Sequence, residues 1–135
     1  MSQINPRNAM QQYAQTGTQV ADIEPYRSVQ MLLQGAMDRI AIAKGHMQRK
    51  EVRQKGEFIS KAISIIDGLQ ASIDHESGGA IASNLDGLYA YMQQQLLKAN
   101  LDNNQSLLDE ISGLLTNIKE AWDAIPDAAK RVAPK

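Results

Sequence analysis

The chain has no cysteine among its 135 residues, which excludes disulfide bonds and thiolate chemistry. Aromatic residues are scarce, with four tyrosines, one tryptophan and one phenylalanine. Two of them, Tyr89 and Tyr91, nevertheless stand two apart in SNLDGLYAYMQQQLLKAN. Neither sign of charge dominates: 14 basic residues face 15 acidic ones for a formal net charge of −1. Nucleic-acid binding, which concentrates Lys and Arg, is therefore not expected. The one basic cluster, Lys44 to Lys55, is interrupted by Glu51 and reads as a solvated junction between helices. No apolar run approaches the ~20 residues needed to span a bilayer. The N-terminal MSQINPRNAM has neither the basic nor the apolar region of a secretory signal. A cytoplasmic location without membrane insertion is the expectation.

Strand patterning is missing too, whereas helical periodicity runs through most of the chain. Val29, Leu33, Ala36, Ile40, Ala43 and Met47 alternate four and three apart, a stripe that predicts a helix from about Pro25 to Gln48. Pro25 suits a first turn, where its fixed φ is helical and its missing N–H is not needed. Val52, Ile59, Ile63, Ile66, Gln70 and Ile73 predict a second helix from about Glu51 to Ile73, with Asp74 to Gly79 as the break after it. Ile81, Leu85, Leu88, Tyr89, Met92, Leu96 and Ala99 form the core stripe of a third, Ala80 to Asn100. Leu108, Ile111, Leu115, Ile118 and Trp122 mark a fourth, Gln105 to Ile125, beyond the turn Asp102-Asn103-Asn104. One domain of this length holds one core. The expected fold is all-α, an antiparallel four-helix bundle over residues 25–125. Residues 1–24 are expected to form a short helical arm around Met10 and Tyr13, and residues 126–135 a flexible tail.

Signals of catalysis are weak. Asp74-His75-Glu76 offers three metal-ligand types, but adjacent side chains seldom converge on one ion without more distant ligands. No enzyme activity, metal or cofactor is expected. His46, in AKGHMQRK, admits a histidine phosphotransfer protein as a rival reading, since such domains are also four-helix bundles. A self-associating structural bundle is a third. Gly35, Gly68, Gly87 and Gly113 place one glycine in each long helix, where each costs roughly 1 kcal/mol relative to alanine. Two explanations stand: close helix–helix approach, or flat grooves kept open for another backbone.

Apolar residues outside the core stripes carry the functional reading. Met31 and Ile42, Phe58 and Ile65, Tyr91 and Leu97, and Leu107 and Leu114 fall at or beyond the stripe edge, one pair in each helix. A broad core would absorb them. Aligned into grooves, they would instead dock an amphipathic helix or a partner subunit.

The segments YRSVQMLLQGAMDRIAIAKG, KAISIIDGL, DHESGGAIASNLDGLYAYMQQQLLKAN and LLTNIKEAW, in this order, resemble the flagellin export chaperone family, FliS. The similarity covers Tyr13 to about Ile125. Its most specific elements are Leu32-Leu33-x-Gly35, Gly78-Gly79 with Ile81-Ala82, Leu88-Tyr89-x-Tyr91, Ala99-Asn100 and Ala121-Trp122. Glu24 departs from the small hydroxyl residue common before Pro25 in that family, which weakens the helix cap, and Gln34 departs from an acidic residue. The resemblance implies a cytoplasmic bundle, a monomer or weak homodimer, that binds the disordered C-terminal segment of flagellin. Binding would prevent premature polymerisation and keep the subunit competent for type III export, with components of the export gate as further partners. Taken with the stripes, it points to Met10, Tyr13, Met31, Ile42, Phe58, Ile65, Tyr89, Tyr91, Leu97, Leu107 and Leu114 as contact residues.

Overall fold

A computed structural model describes residues 24–125. They form four α-helices, α1 (Glu24–Gln48), α2 (Val52–Ala71), α3 (His75–Asp102) and α4 (Gln105–Asp123), with no strand among the described residues. Each helix packs on its neighbours in the chain, and α4 returns to α1. The result is an antiparallel bundle with the helices in chain order around its axis. Met10 and Tyr13, and the tail after residue 125, lie outside the described residues.

The four-and-three spacing of α1 turns Val29, Leu33, Ala36, Ile40 and Ala43 inward, and all five are buried. They meet Ile59, Ala62, Ile66 and Leu69 of α2, where alanines at 36, 43 and 62 keep this the most closely packed pair of helices. Across the axis, α3 contributes Tyr89, Met92, Leu96 and Ala99, and α4 contributes Leu108, Ile111 and Leu115. Each fully buried Leu or Ile contributes roughly 1.5–3 kcal/mol by leaving water. Tyr89 is only 2% exposed, and burial pushes its hydroxyl up to about 12.

Lysine and asparagine, not glycine, close two of the turns. Lys50 (φ 62°) and Asn103 (φ 50°) are left-handed, each at the end of a helix. Glu51 N–H then reaches the His46 carbonyl at 2.9 Å, and Asn104 N–H the Ala99 carbonyl at 3.0 Å, which satisfies the last helical acceptors. Beside the second turn lies Lys55, which is buried. Its ammonium donates to the Asn100 carbonyl at 2.9 Å and to the Asn103 side chain, so a cation seals the negative end of α3.

Three details of the sequence reading change. Asp74 to Gly79 is not simply a break: the Asp74 carboxylate accepts from Glu76 N–H at 3.1 Å and Ser77 N–H at 3.2 Å, capping one helical turn before Gly79. That glycine kinks α3 with φ 55° and ψ −130°, a conformation unsuited to residues with a Cβ. Val52, placed in the stripe of α2, is exposed because it opens the helix at the bundle's end. Ile81 has the azimuth of a core residue yet is 77% exposed. The last turn of α4 is held against α1. There the Trp122 ring stacks on Tyr26 with centroids 5.0 Å apart, its indole N–H donates to the Tyr26 carbonyl at 3.0 Å, and the Tyr26 hydroxyl donates to the Trp122 carbonyl.

Candidate partner-binding surface

Seven of the candidate residues fall along two seams on opposite sides of the four-helix ring. Along α1 and α2, Met31 and Ile42 stand three turns apart on the same side of α1, and both are exposed. Ile65 and Phe58 of α2 lie beside them, partly buried against the core. The Ile65 side chain lies against Gly35, where a Cβ would make an ordinary van der Waals contact with Ile65 Cδ1 at 3.5 Å. Phe58 stacks on His46 with centroids 5.5 Å apart, and the Lys61 ammonium lies 4.5 Å from the phenyl centroid.

Along α3 and α4, Leu107 and Leu114 are partly buried against the core. Tyr91, 38% exposed, reaches across from α3, and its hydroxyl donates to Glu110 Oε2 at 2.6 Å. The accepting carboxylate pushes this hydroxyl above its ordinary value, so Tyr91 keeps its proton and remains a donor. The outlying tyrosine of SNLDGLYAYMQQQ thus has an anchor. Leu97 points away from both seams and is 55% exposed.

Tyr89 belongs to neither group. It is a core residue, as its place in the stripe of α3 requires, and it presents no surface to a partner. Two residues that the sequence reading did not select do present one. Leu101, one turn beyond Leu97, is 82% exposed, and Val52 is exposed at the same end of the bundle. Leu101 was missed because the predicted helix stopped at Asn100, two residues short of its actual end. The four glycines singled out by the sequence differ in their surroundings. Gly35 faces the Ile65 side chain and Gly68 is buried, whereas a Cβ on Gly87 or Gly113 would meet nothing within 4 Å.

His46 occupies a different kind of site. Its ring is mostly covered, and Nδ1 lies 2.7 Å from Glu51 Oε1 and 3.2 Å from an Arg49 guanidinium nitrogen. Hydrogen bonds from His46 and Arg49 hold the Glu51 carboxyl below its ordinary value. The cluster ties the α1–α2 turn together. Asp74, His75 and Glu76 do not converge: the Asp74 carboxylate caps α3, and no group of three metal-ligating side chains occurs among the described residues. No helix among them is long and apolar enough to cross a membrane.

The described residues thus form a closed four-helix bundle that leaves several apolar side chains exposed outside its core. The family described as "Flagellar protein FliS" matches residues 6–129, and the chain belongs to that family. It is 49% identical over 119 residues to the flagellar secretion chaperone FliSB of Pseudomonas aeruginosa, covering 87% of this chain and 94% of the relative. With the flagellar secretion chaperone FliS of Salmonella typhimurium it shares 43% identity over 126 residues, 91% and 88% of the two chains. With that of Vibrio cholerae the identity is 38% over 122 residues, 89% and 90%.

Proposed function

We propose that the protein is a cytoplasmic, non-enzymatic export chaperone that binds the disordered C-terminal segment of flagellin. Covering that segment prevents premature polymerisation and leaves the subunit competent for flagellar type III secretion. The observation that carries this reading is the split of the apolar candidates between opposite seams, Met31, Ile42, Phe58 and Ile65 on one and Tyr91, Leu107 and Leu114 on the other. One short helix cannot touch both; a long, pliable chain that wraps the bundle can. Leu97 and Leu101 extend the path over the back of α3. Each anchor contributes roughly 1.5–3 kcal/mol when fully covered, and much of that is offset by the entropy of ordering the incoming chain. The names of the relatives as flagellar secretion chaperones support the same reading.

Met10 and Tyr13, in the segment 1–24, take part as a cap over the apolar surface that yields to flagellin, and components of the export gate are further partners. A phosphotransfer role is disfavoured by the covered, hydrogen-bonded ring of His46. Calorimetric titration with intact flagellin and with flagellin lacking its C-terminal segment tests the proposal. Binding of the intact protein alone is expected. Equal binding of both would sink the mode, and light scattering that found stable oligomers of the free chain would favour a structural bundle instead.

A further inference from the structure

The four seams of the bundle are not fastened alike. Between α1 and α4, polar bridges run from end to end: the Tyr26–Trp122 pair, Gln30 to Asp123 at 2.7 Å, Lys44 to Asp109 at 2.7 Å, and Gln48 to Gln105 at 3.1 Å. Between α2 and α3, Gln70 bonds Asp86 and Gln93, and Lys55 seals the far end. The α3–α4 seam is the most sparsely packed of the four. Its bridge is the 2.6 Å bond from Tyr91 to Glu110, halfway along. Glu110 stands one turn from each of Leu107 and Leu114, so a side chain entering to reach both must pass the place that the Tyr91 ring spans. Behind Tyr91, on the next turn of α3, the side-chain oxygen of Gln95 is buried without a hydrogen-bond partner. A buried acceptor left open is unfavourable, and it is met by any chain that brings an N–H to that point.

We propose that the Tyr91–Glu110 hydrogen bond is a latch on the α3–α4 seam, which parts to admit the partner's chain and offers it Gln95 as an acceptor. The inference rests on the flagellin reading and adds to it the element that regulates entry. The latched form is the incompetent state, so the bond subtracts from the observed affinity in proportion to the closed population. Breaking it without disturbing the ring frees the seam. Tyr91→Phe keeps the ring and removes the donor.

Two glycines make the seam measurable. Gly87 lies one turn before Tyr91 and Gly113 one turn after Glu110, level with each other on antiparallel helices, and a Cβ on either meets open space. The chain has no cysteine, so Gly87→Cys with Gly113→Cys carries spin labels at these two positions alone. A peptide of the cognate flagellin's C-terminal segment is then titrated into the labelled parent chain and the labelled Tyr91→Phe variant. The latch predicts one short interlabel distance in the free parent and a longer one with peptide. It also predicts a longer-distance fraction in free Tyr91→Phe, whose affinity is about three- to tenfold higher. Glu110→Ala should reproduce the variant. Peptide binding with an unchanged label distance, or equal or weaker binding by Tyr91→Phe, overturns the latch alone. No binding to the parent chain overturns the flagellin reading and the latch with it.

Discussion

Leu96 and Leu97 are the same residue type one step apart on α3, and their fates differ: Leu96 is 0% exposed and Leu97 is 55% exposed. Replacing each by alanine separates core from surface within a single turn. Leu96→Ala removes side-chain contacts within the core and leaves a cavity there. The expected loss is about 3 kcal/mol, within the usual range for buried leucines. Leu97→Ala gives up roughly half of a ~2 kcal/mol transfer term and regains a few tenths through the better helix propensity of alanine, so its loss stays under about 1 kcal/mol. With an unfolding entropy of roughly 2.1 cal/mol/K per residue, the chain changes its melting temperature by about 3.5 °C for each kcal/mol. Thermal unfolding followed by circular dichroism should therefore place Leu96→Ala about 10 °C below the parent and Leu97→Ala within about 3 °C of it. Titration with the flagellin C-terminal peptide should show the reverse order of importance, with Leu97→Ala binding more weakly while remaining folded. If Leu97→Ala melted as early as Leu96→Ala, then the outward face of α3 would be part of the core and the proposed path of the partner would be wrong.

Gly87→Ala and Gly113→Ala should each stabilise the bundle by about 0.5–1 kcal/mol in urea unfolding, because a Cβ at either site meets open space; Gly79→Ala, at φ 55°, should destabilise it. Lys55→Met keeps the length of the side chain but leaves the Asn100 carbonyl and Asn103 unbridged, with an expected loss of about 1–3 kcal/mol and earlier amide exchange at the α3–α4 turn. Asp74, held below its ordinary value of 3.8 first by the Ser77 hydroxyl and then by backbone N–H groups, binds fewer protons folded than unfolded. Its contribution is present above about pH 4 and is lost as the pH falls through the lowered folded value, so Asp74→Asn should flatten the acid limb of the stability curve. Removing residues 1 to 20 should raise affinity for the flagellin peptide, by about tenfold for a cap worth ~1.4 kcal/mol; unchanged or weaker binding would show that the segment is inert or contributes to the bound state.

Sequence alone determined the four helices of the described residues, the bundle they form and most of the core. A side chain every three or four residues lies on one meridian, and Leu33, Ile40, Ile59, Ile66, Leu96, Leu108 and Leu115, all read from that spacing, are fully buried. Family membership was also legible, because it rests on the order of whole segments. Azimuth, however, says which way a side chain points and not whether anything stands opposite it. Ile81 shares the spacing of the core stripe and is 77% exposed. Lys55 carries a charge and is buried, because an α3 carbonyl 45 residues away needs its ammonium. Tyr91 was marked as an outlier by its spacing, but its bond to Glu110 depends on two helices lying level across a seam. Periodicity is a property of one helix, whereas burial, anchoring and the sorting of spare apolar residues into two seams are properties of pairs, and only the tertiary structure brings the pairs together.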